Sequence, residues 1–442
     1  MRCAARGAAA HDSDCSDQVE GVNLATVNPN PGTMAQNIAL LSGQPAFREP
    51  LHVGRPNVGD RGQFLSRVTD MLDRRWLTND GPLVQEFEAK VAGIVGVTHC
   101  VAMCNATVAL EIAIRALELK GEVLLPSYTF VATAHALQWQ EITPVFADVD
   151  PRTHNIDPGA IERLITPRTT GILGVHVWGR PCDTAAIHKI AERHGLKEMY
   201  DAAHAFGCSH GGRMIGSFGT CEVFSFHATK FVNSFEGGAV VTNDDALASK
   251  MRLMRNFGFA GYDRVTYLGT NGKMPEICAA MGLTSLEAME DIVAINRRNY
   301  DAYRQGLRGL PGVSLINLDP AERQNFQYMV AAVDPGQACL NRDELVAVLH
   351  ADNVLARKYF WPGCHRMEPY SSFQPNASLL LPETESLAAR VVVLPTGQDV
   401  TPATVRTICA IIRSAFEQAE AVRSALARKR PLGAEGAAAS WS

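Results

Sequence analysis

Lys230 stands between two short apolar runs, a position that suits a lysine with a chemical task. Residues 223–226, Val-Phe-Ser-Phe, predict a buried strand, and residues 238–242 predict a second one after a Gly-Gly pair. A lysine held between two such segments is desolvated, loses its proton more readily and can form a Schiff base with a carbonyl compound. An ordinary surface lysine is the alternative, because most lysines are exposed. Other residues must decide between the two.

Asp201 and Phe130 follow other predicted strands and suit the same site. Asp201 comes directly after a short apolar strand at residues 199–200, in the sequence YDAAHAFG. A buried carboxylate there can face a cationic ring nitrogen and shift the pKa of each partner by roughly 1 to 3 units, or it can cap a following helix. Phe130, in SYTFVAT, suits either core packing or a face on which a flat ring stacks. His176 and Trp178 close another strand.

The segment from Asn105 to Thr107 joins a short strand at residues 100–103 to a helix. The free N–H groups at a helix N-terminus lie at the positive end of the helix dipole and bind phosphate well. A plain N-cap formed by Asn105 or Thr107 is the alternative. The sequence therefore predicts either a phosphate site or an ordinary helix start here.

Strands and helices alternate around these residues from residue 100 to residue 226. Such alternation predicts an α/β fold in which a parallel sheet is wrapped by helices. Ligands of this fold bind beyond the carboxyl ends of the strands, where the residues above are located. After a long helical stretch at 275–310, shorter strands and helices predict a smaller mixed domain. We divide the chain into a flexible leader (1–45), a large α/β domain (46–300), a small C-terminal α+β domain (301–428) and a flexible tail (429–442).

Composition and charge argue against several classes of protein. The chain has 442 residues, of which 46% are hydrophobic and 20% are charged, with a formal net charge of -5. This mild acidity, without a dense basic run before Ala427, disfavours nucleic-acid binding, and no run of 18 apolar residues predicts a membrane span. The eleven cysteines show neither a CxxC pair nor zinc-like spacing with histidine. We expect reduced thiols, no bound metal and a cytoplasmic location.

Seven stretches of the sequence together resemble the DegT/DnrJ/StrS family of nucleotide-sugar aminotransferases. In chain order they are NDGPLVQEFEAKVAGIVG, PSYTFVATAHAL, FADVDPRTHNIDP, GVHVWGRPCD, YDAAHAFG, FSFHATKFVNSFEGGAVVTND and LGTNGKMPEICAAMGL. The resemblance runs from about residue 50 to about residue 420. It implies the aspartate-aminotransferase fold (fold type I), with a mainly parallel seven-stranded sheet between helices, and pyridoxal 5'-phosphate as the cofactor.

The resemblance also implies roles for individual residues. Lys230 matches the lysine to which the cofactor is attached, and Asp201 matches the aspartate that pairs with the pyridine nitrogen and sustains catalysis. His204 occupies a position where many members have Gln near the phenolic oxygen of the cofactor. Three residues match the phosphate-binding set and one matches the aromatic that stacks on the ring: Ala106, Thr107, Ser225 and Phe130. Asn271 matches an asparagine that reaches the phosphate of the partner subunit, which implies a homodimer with shared active sites.

The implied reaction moves an amino group from an amino acid, glutamate by analogy, to the ketone of a nucleotide-linked sugar. Family members with HATK and EGG, as at residues 227–230 and 236–238, resemble enzymes that aminate C4 of a 4-keto-6-deoxyhexose. The resemblance therefore favours a product of the dTDP-4-amino-4,6-dideoxyhexose type. Three alternatives stay open: a C3 aminotransferase acting on a dTDP-3-keto-6-deoxyhexose, a sugar dehydratase, and a non-catalytic regulatory or binding member. A dehydratase would have His in place of Lys230, and a regulatory member would have lost Asp201 and Ser225.

Overall fold

The computed structural model describes residues 38–429. The strands are β1 (Leu51–His52), β2 (His99–Met103), β3 (Glu122–Pro126), β4 (Thr143–Ala147), β5 (Thr169–Val175), β6 (Lys197–Asp201), β7 (Ser209–His210), β8 (Arg213–Met214), β9 (Cys221–Ser225), β10 (Gly238–Thr242), β11 (Val313–Leu315), β12 (Met329–Val333), β13 (Val354–Leu355) and β14 (Val391–Leu394). The helices are α1 (Ala39–Ser42), α2 (Arg61–Arg74), α3 (Pro82–Val95), α4 (Ala106–Ala116), α5 (Val131–Gln138), α6 (Pro158–Leu164), α7 (Thr184–His194), α8 (Asp245–Met254), α9 (Glu276–Glu287), α10 (Met289–Gly306), α11 (Arg342–Ala351), α12 (Tyr370–Phe373), α13 (Pro382–Arg390), α14 (Pro402–Glu417) and α15 (Ala419–Lys429).

Seven strands form the central sheet in the order β2-β10-β9-β6-β5-β3-β4. β10 runs antiparallel to both of its neighbours, β2 and β9, and the other pairs are parallel. Val101 and Met103 of β2 pack into one apolar cluster, whereas Cys100 and Ala102 pack into another on the opposite face. Both faces are covered because the strands are apolar at successive positions. The predicted α/β fold with a mainly parallel sheet is confirmed.

A second, smaller sheet has the antiparallel order β11-β12-β14. Helices α10, α11 and α14 contribute to the apolar cluster that packs against it. This part has the α+β architecture that the sequence predicted for the C-terminal region. The predicted boundary between residues 300 and 301 falls within α10, and the limits of the domains remain a prediction.

The helical stretch predicted at 275–310 is divided into two helices. It contains α9 and α10, which meet at Ala288. α9 packs against α2 and α3, whereas α10 packs against α14. The break at Ala288 therefore redirects the chain from the large sheet to the smaller one.

The predicted leader and tail lie mostly outside the described residues. From residue 38 onwards the chain is packed, because Ile38 and Leu40 belong to the core of the smaller part. The buried carboxylate of Asp352 accepts the N–H groups of Ala39 at 3.1 Å and Ala46 at 3.0 Å. A buried carboxylate needs such donors, so residues 38–45 differ from the flexible leader predicted for them.

Residues 38–429 contain no helix that is both long enough and apolar enough to cross a membrane. Within the same range there is no cluster of three or more His, Cys, Asp or Glu side chains arranged to hold a metal ion. The cysteines of this range are all free thiols.

Candidate active site

The ends of three strands meet beside the N-terminus of α4. Gly238, the first residue of β10, pairs with Met103 at the end of β2 and with Ser225 at the end of β9. Asp201, the last residue of β6, pairs with Val223 of β9. Because these strands are adjacent, the polar residues that follow them lie along one edge of the sheet.

Lys230 lies in the loop between β9 and β10, and its neighbours hold it firmly. Its backbone N–H donates to the carbonyl of His227 at 2.8 Å, which closes a tight turn. The N–H of Phe231 donates to the side-chain oxygen of Gln327 at 3.1 Å. Phe231 and Val232 are buried in the core. The lysine is therefore fixed on both sides along the backbone.

The surroundings of the Lys230 side chain make its amine easier to deprotonate than that of an ordinary lysine. Its Nζ donates to Tyr328 Oη at 3.1 Å. Burial lowers the pKa of Lys230 to about 8, against the opposing effect of the Asp201 charge. A larger fraction of this amine is therefore unprotonated near neutral pH than of an ordinary lysine, and it can act as a nucleophile or as a base.

Asp201 is buried, and each of its carboxylate oxygens accepts one hydrogen bond. The hydroxyl of Thr133 donates at 2.8 Å and the N–H of Ala203 at 3.0 Å, and the hydroxyl of Thr129 lies 2.9 Å from that of Thr133. Burial raises the pKa of Asp201, while these hydrogen bonds and the charge of Lys230 oppose the rise. No α-helix lies between Asp201 and β7, so the alternative of a helix N-cap is wrong.

His204 is buried among aromatic rings. Its ring centroid lies 5.7 Å from that of Trp178, 4.4 Å from that of Tyr328 and 5.7 Å from that of Phe360. The backbone N–H of Trp178 donates to His204 Nδ1 at 3.3 Å. Burial lowers the pKa of His204 well below its usual value, so the ring is neutral. Because Nδ1 accepts a hydrogen bond, the proton of the neutral ring is on Nε2, and His204 offers one N–H donor.

The N-terminus of α4 combines a helix cap with free donors. Asn105 caps the helix, since its side-chain oxygen accepts the N–H of Val108 at 2.9 Å. Within residues 38–429 the N–H groups of Ala106 and Thr107 have no hydrogen-bond acceptor. A Cβ on Gly238 would lie 2.5 Å from the backbone nitrogen of Ala106, so only glycine lets β10 begin this close to the helix.

The groups at this edge match the chemistry of pyridoxal 5'-phosphate. Its phosphate would be held by the free N–H groups of Ala106 and Thr107 and by Ser225, whose buried hydroxyl accepts the N–H of His227 at 3.4 Å and keeps its own proton for donation. Its aldehyde needs an amine such as that of Lys230. Its pyridinium nitrogen needs an anion such as Asp201. The donor and acceptor set present therefore fits this cofactor.

Phe130 and Asn271 are two predicted site residues whose side chains are exposed. Phe130 is 59% exposed at the start of α5, and its ring contacts no other aromatic ring within residues 38–429. Its free face suits the predicted stacking. Asn271 is exposed and is bridged through its backbone to Asn256. The roles assigned to both residues remain predictions.

His176, which the sequence singled out at a strand end, is enclosed in the core. Its Nε2 lies 3.1 Å from a carboxylate oxygen of Glu222, and its Nδ1 accepts the N–H of Cys182 at 3.0 Å. His176 and Glu222 are both fully buried. This histidine fastens β5 to β9 and to the loop before α7.

Sequence reasoning missed the residues that complete the site from other parts of the chain. Tyr328 reaches Lys230, Thr133 orients Asp201, and Phe360 stacks on His204 with its ring tilted by only 18°. A signal for Tyr328 was available, because Gln327 and Tyr328 are polar residues at the start of an otherwise apolar strand-like run. Thr133 and Phe360 carry no such signal, since their contacts depend on the folded chain.

The sequence is similar to those of known aminotransferases. Residues 59–413 match the model of the DegT/DnrJ/EryC1/StrS aminotransferase family. The chain is 37% identical over 350 residues to dTDP-4-amino-4,6-dideoxy-D-glucose transaminase from Escherichia coli, which covers 78% of this chain and 94% of the relative. It is also 37% identical over 309 residues to GDP-perosamine synthase from Caulobacter vibrioides, covering 69% of this chain and 83% of the relative.

Among solved structures, DesI in the presence of its TDP-sugar product is similar to this chain. The TM-score is 0.84 and the sequence identity is 48%, over 88% of this chain and 98% of DesI. The fold, the family match and the relatives agree with one another. The chain belongs to the DegT/DnrJ/EryC1/StrS aminotransferase family, whose members depend on pyridoxal 5'-phosphate.

Proposed function

We propose that this transaminase transfers an amino group from L-glutamate to C4 of dTDP-4-keto-6-deoxyglucose and releases dTDP-4-amino-4,6-dideoxyglucose. The observation that carries the proposal is the 37% identity to a transaminase named for this product, over 94% of that relative. The similarity to DesI, which was solved with a TDP-sugar product, supports the same substrate class. The sequences HATK at 227–230 and EGG at 236–238 support amination at C4 rather than at C3.

The site residues have distinct tasks in this reaction. Pyridoxal 5'-phosphate, when bound, supplies an electron sink for negative charge on the substrate carbon. Lys230 Nζ removes the proton from the carbon that bears the amino group of the donor, and a pKa of about 8 leaves part of the amine free to do so near neutral pH. Asp201 holds a proton at the ring nitrogen of the cofactor. Thr133 and the N–H of Ala203 keep the Asp201 carboxylate in place.

The remaining predicted residues bind and orient the cofactor. Ala106, Thr107 and Ser225 bind its phosphate, and Phe130 packs on one face of its ring. His204 donates from Nε2 to the phenolic oxygen, a task for which its neutral ring is suited. These roles are supported by the position of each residue at the same edge of the sheet.

We also propose a homodimer in which Asn271 of one subunit completes the phosphate site of the other. The loop that carries Asn271 exposes large apolar side chains, including Tyr262 at 100% and Leu268 at 70%. Exposed apolar residues grouped in this way are typical of a protein interface. Mixed dimers of Lys230→Ala and Asn271→Ala subunits contain one site with both residues intact. Co-expression should therefore restore activity that neither variant has alone, and inactive mixed dimers would contradict shared sites.

Candidate keto sugars and purified protein test the reaction directly. The protein should be yellow, and borohydride should remove the yellow colour while fixing the cofactor covalently on Lys230. With glutamate and the dTDP-4-keto sugar, NMR of the product should place the new amine at C4. An amine at C3 would overturn the assignment of amination to C4, and a preference for the GDP sugar would overturn the assignment of the dTDP sugar as substrate. A protein that stays colourless with added cofactor would overturn the proposed transaminase activity itself.

A further inference from the structure

Tyr328 brings a phenolic hydroxyl to the amine of Lys230 across 98 residues of sequence. It is the one hydrogen-bond partner of Lys230 Nζ in the described part of the chain, at 3.1 Å. The preceding residue, Gln327, accepts the N–H of Phe231. Gln327 and Tyr328, which directly precede β12, thus accept hydrogen bonds from two successive residues of the loop between β9 and β10.

The ring of Tyr328 is held in place by other aromatic rings. Its centroid lies 4.4 Å from His204, 5.4 Å from Trp178 and 6.3 Å from Tyr359, and the last two contacts are edge to face. Burial raises the pKa of Tyr328, so the phenol keeps its proton. The oxygen therefore offers lone pairs at a fixed point beside Lys230 Nζ.

An acceptor at this point controls the direction of the amine. A free lysine amine rotates about its Cε–Nζ bond, and its lone pair samples several directions. When one N–H is donated to Tyr328, the rotation is restricted and the lone pair takes a set direction. General-base catalysis depends on such alignment, because a base must lie within hydrogen-bond reach of the proton that it removes.

We propose that Tyr328 is a positioning residue that aims the free amine of Lys230 during proton transfer. The inference rests on the transaminase activity of the proposed function but on no particular sugar substrate. Lys230 acts as a base only when its amine is free, and the hydrogen bond to Tyr328 is a bond of that free amine. No other residue in the described range donates to or accepts from Lys230 Nζ, so this orientation depends on Tyr328.

The test measures the rate at which pyridoxal 5'-phosphate attaches to Lys230 in full-length protein from which the cofactor has been removed. Visible absorbance reports the attachment, and the rate is measured as a function of pH. The wild-type rate should rise with a midpoint near pH 8, the pKa of Lys230. In Tyr328→Phe the plateau rate should fall about tenfold, because the amine is no longer aligned. The midpoint should also move to lower pH, because losing an acceptor disfavours the charged ammonium form.

Tyr300→Phe is the matched control. Tyr300 is buried and its Oη donates to the carbonyl of Ile316 at 3.0 Å, so this variant also loses one hydrogen bond of a buried tyrosine. It should lower the melting temperature but keep the wild-type midpoint and plateau. Tyr328→His retains an aromatic acceptor and should keep a midpoint closer to wild type than Tyr328→Phe.

Two results would overturn the proposal. One is a Tyr328→Phe protein whose midpoint and plateau equal those of Tyr300→Phe. The other is a pH midpoint of Tyr328→His equal to that of Tyr328→Phe, the variant that lacks a hydrogen-bond acceptor. If Tyr328→Phe shows no cooperative melting, Tyr328→Leu takes its place as the acceptor-free variant. The assay contains no amino acid or sugar, so an incorrect sugar assignment would leave its outcome unchanged.

Discussion

The site joins two regions of the molecule that differ in how they are encoded. The first is the edge of the central sheet, where Asp201 ends β6, Ser225 ends β9 and Lys230 lies in the loop after β9. The second is a wall formed by Tyr328, near the small sheet, and by the loop that carries Phe360. The edge contains an amine, a carboxylate and a hydroxyl, whereas the wall contains aromatic rings that pack beside Lys230 and His204. The polar groups thus lie close in sequence to the strands of the sheet, whereas the rings that pack beside them come from distant segments.

The wall is fastened to the large sheet through the loop after β3. Tyr128 Oη donates to the carbonyl of Tyr359 at 2.7 Å, and the N–H of Cys364 donates to the carbonyl of Ser127 at 3.0 Å. The hydroxyl of Ser127 also lies 2.7 Å from His365 Nδ1. The same loop continues to Thr129 and Phe130. The wall is therefore tied to the loop in which the Thr129 hydroxyl contacts that of Thr133, the residue that donates to Asp201.

If the edge carries the chemistry, removing its lysine should have the largest effect. Lys230→Ala should lower the transamination rate by at least about 10³-fold, because both the attachment point and the general base are lost. Borohydride should fix no cofactor on this variant. Lys250→Ala is the control and should behave as wild type. Lys250 donates to the carbonyl of Ala116 at the end of α4 and to the carboxylate of Glu118 in the loop after it. A Lys230→Ala protein with substantial activity would break the comparison.

The second residue of the edge should rank next. Asp201→Asn keeps the shape of the side chain but removes its charge, and a lost anion lowers the pKa of a cationic partner by roughly 1 to 3 units. We expect the rate to fall about 10²-fold, since each unit corresponds to about a factor of ten. The pKa of Lys230 should fall further, because the charge of Asp201 raises it. Steady-state rates and the pH dependence of cofactor attachment measure the two effects, and an unchanged rate would contradict the role of Asp201.

A substitution in the wall should cost less than either change at the edge. Phe360→Leu removes the ring that lies 5.7 Å from His204 and 5.3 Å from Trp178. We expect a loss of about tenfold in rate from the displaced imidazole, with cofactor still fixed on Lys230. A loss as large as that of Lys230→Ala in a protein with a normal melting temperature would show that the wall takes part in the chemistry itself.

The smallest effect should come from a single hydrogen bond behind the edge. Thr133→Val removes the hydroxyl that donates to Asp201 and leaves the N–H of Ala203 in place. One such bond contributes roughly 1 kcal/mol, so the rate should fall about fivefold. Thr129→Val removes a hydroxyl that contacts Thr133 but not Asp201, so it should lower the rate less. Equal losses in the two variants would mean that the threonines act on the loop rather than on the carboxylate.

Much of the fold could be predicted because the strands and helices around the site have clear local patterns. The strand 238–242 has the limits that the sequence predicted, and the strand predicted at 100–103 begins only one residue earlier, at His99. The antiparallel direction of β10 could not be predicted, since its apolar run has no direction of its own. Its pairing with β2 on one side and β9 on the other depends on backbone hydrogen bonds between distant segments.

The sequence by itself determined which groups are available for chemistry and the edge of the sheet at which they lie. An apolar strand followed by a polar residue is a local pattern, and the ends of parallel strands meet by the geometry of the fold. Only the tertiary structure decided the state of those groups. Burial lowers the pKa of Lys230 and of His204, and the proton of His204 is placed on Nε2 by the backbone of Trp178. Desolvation and hydrogen bonding depend on residues that are far apart in sequence, so no local pattern contains them.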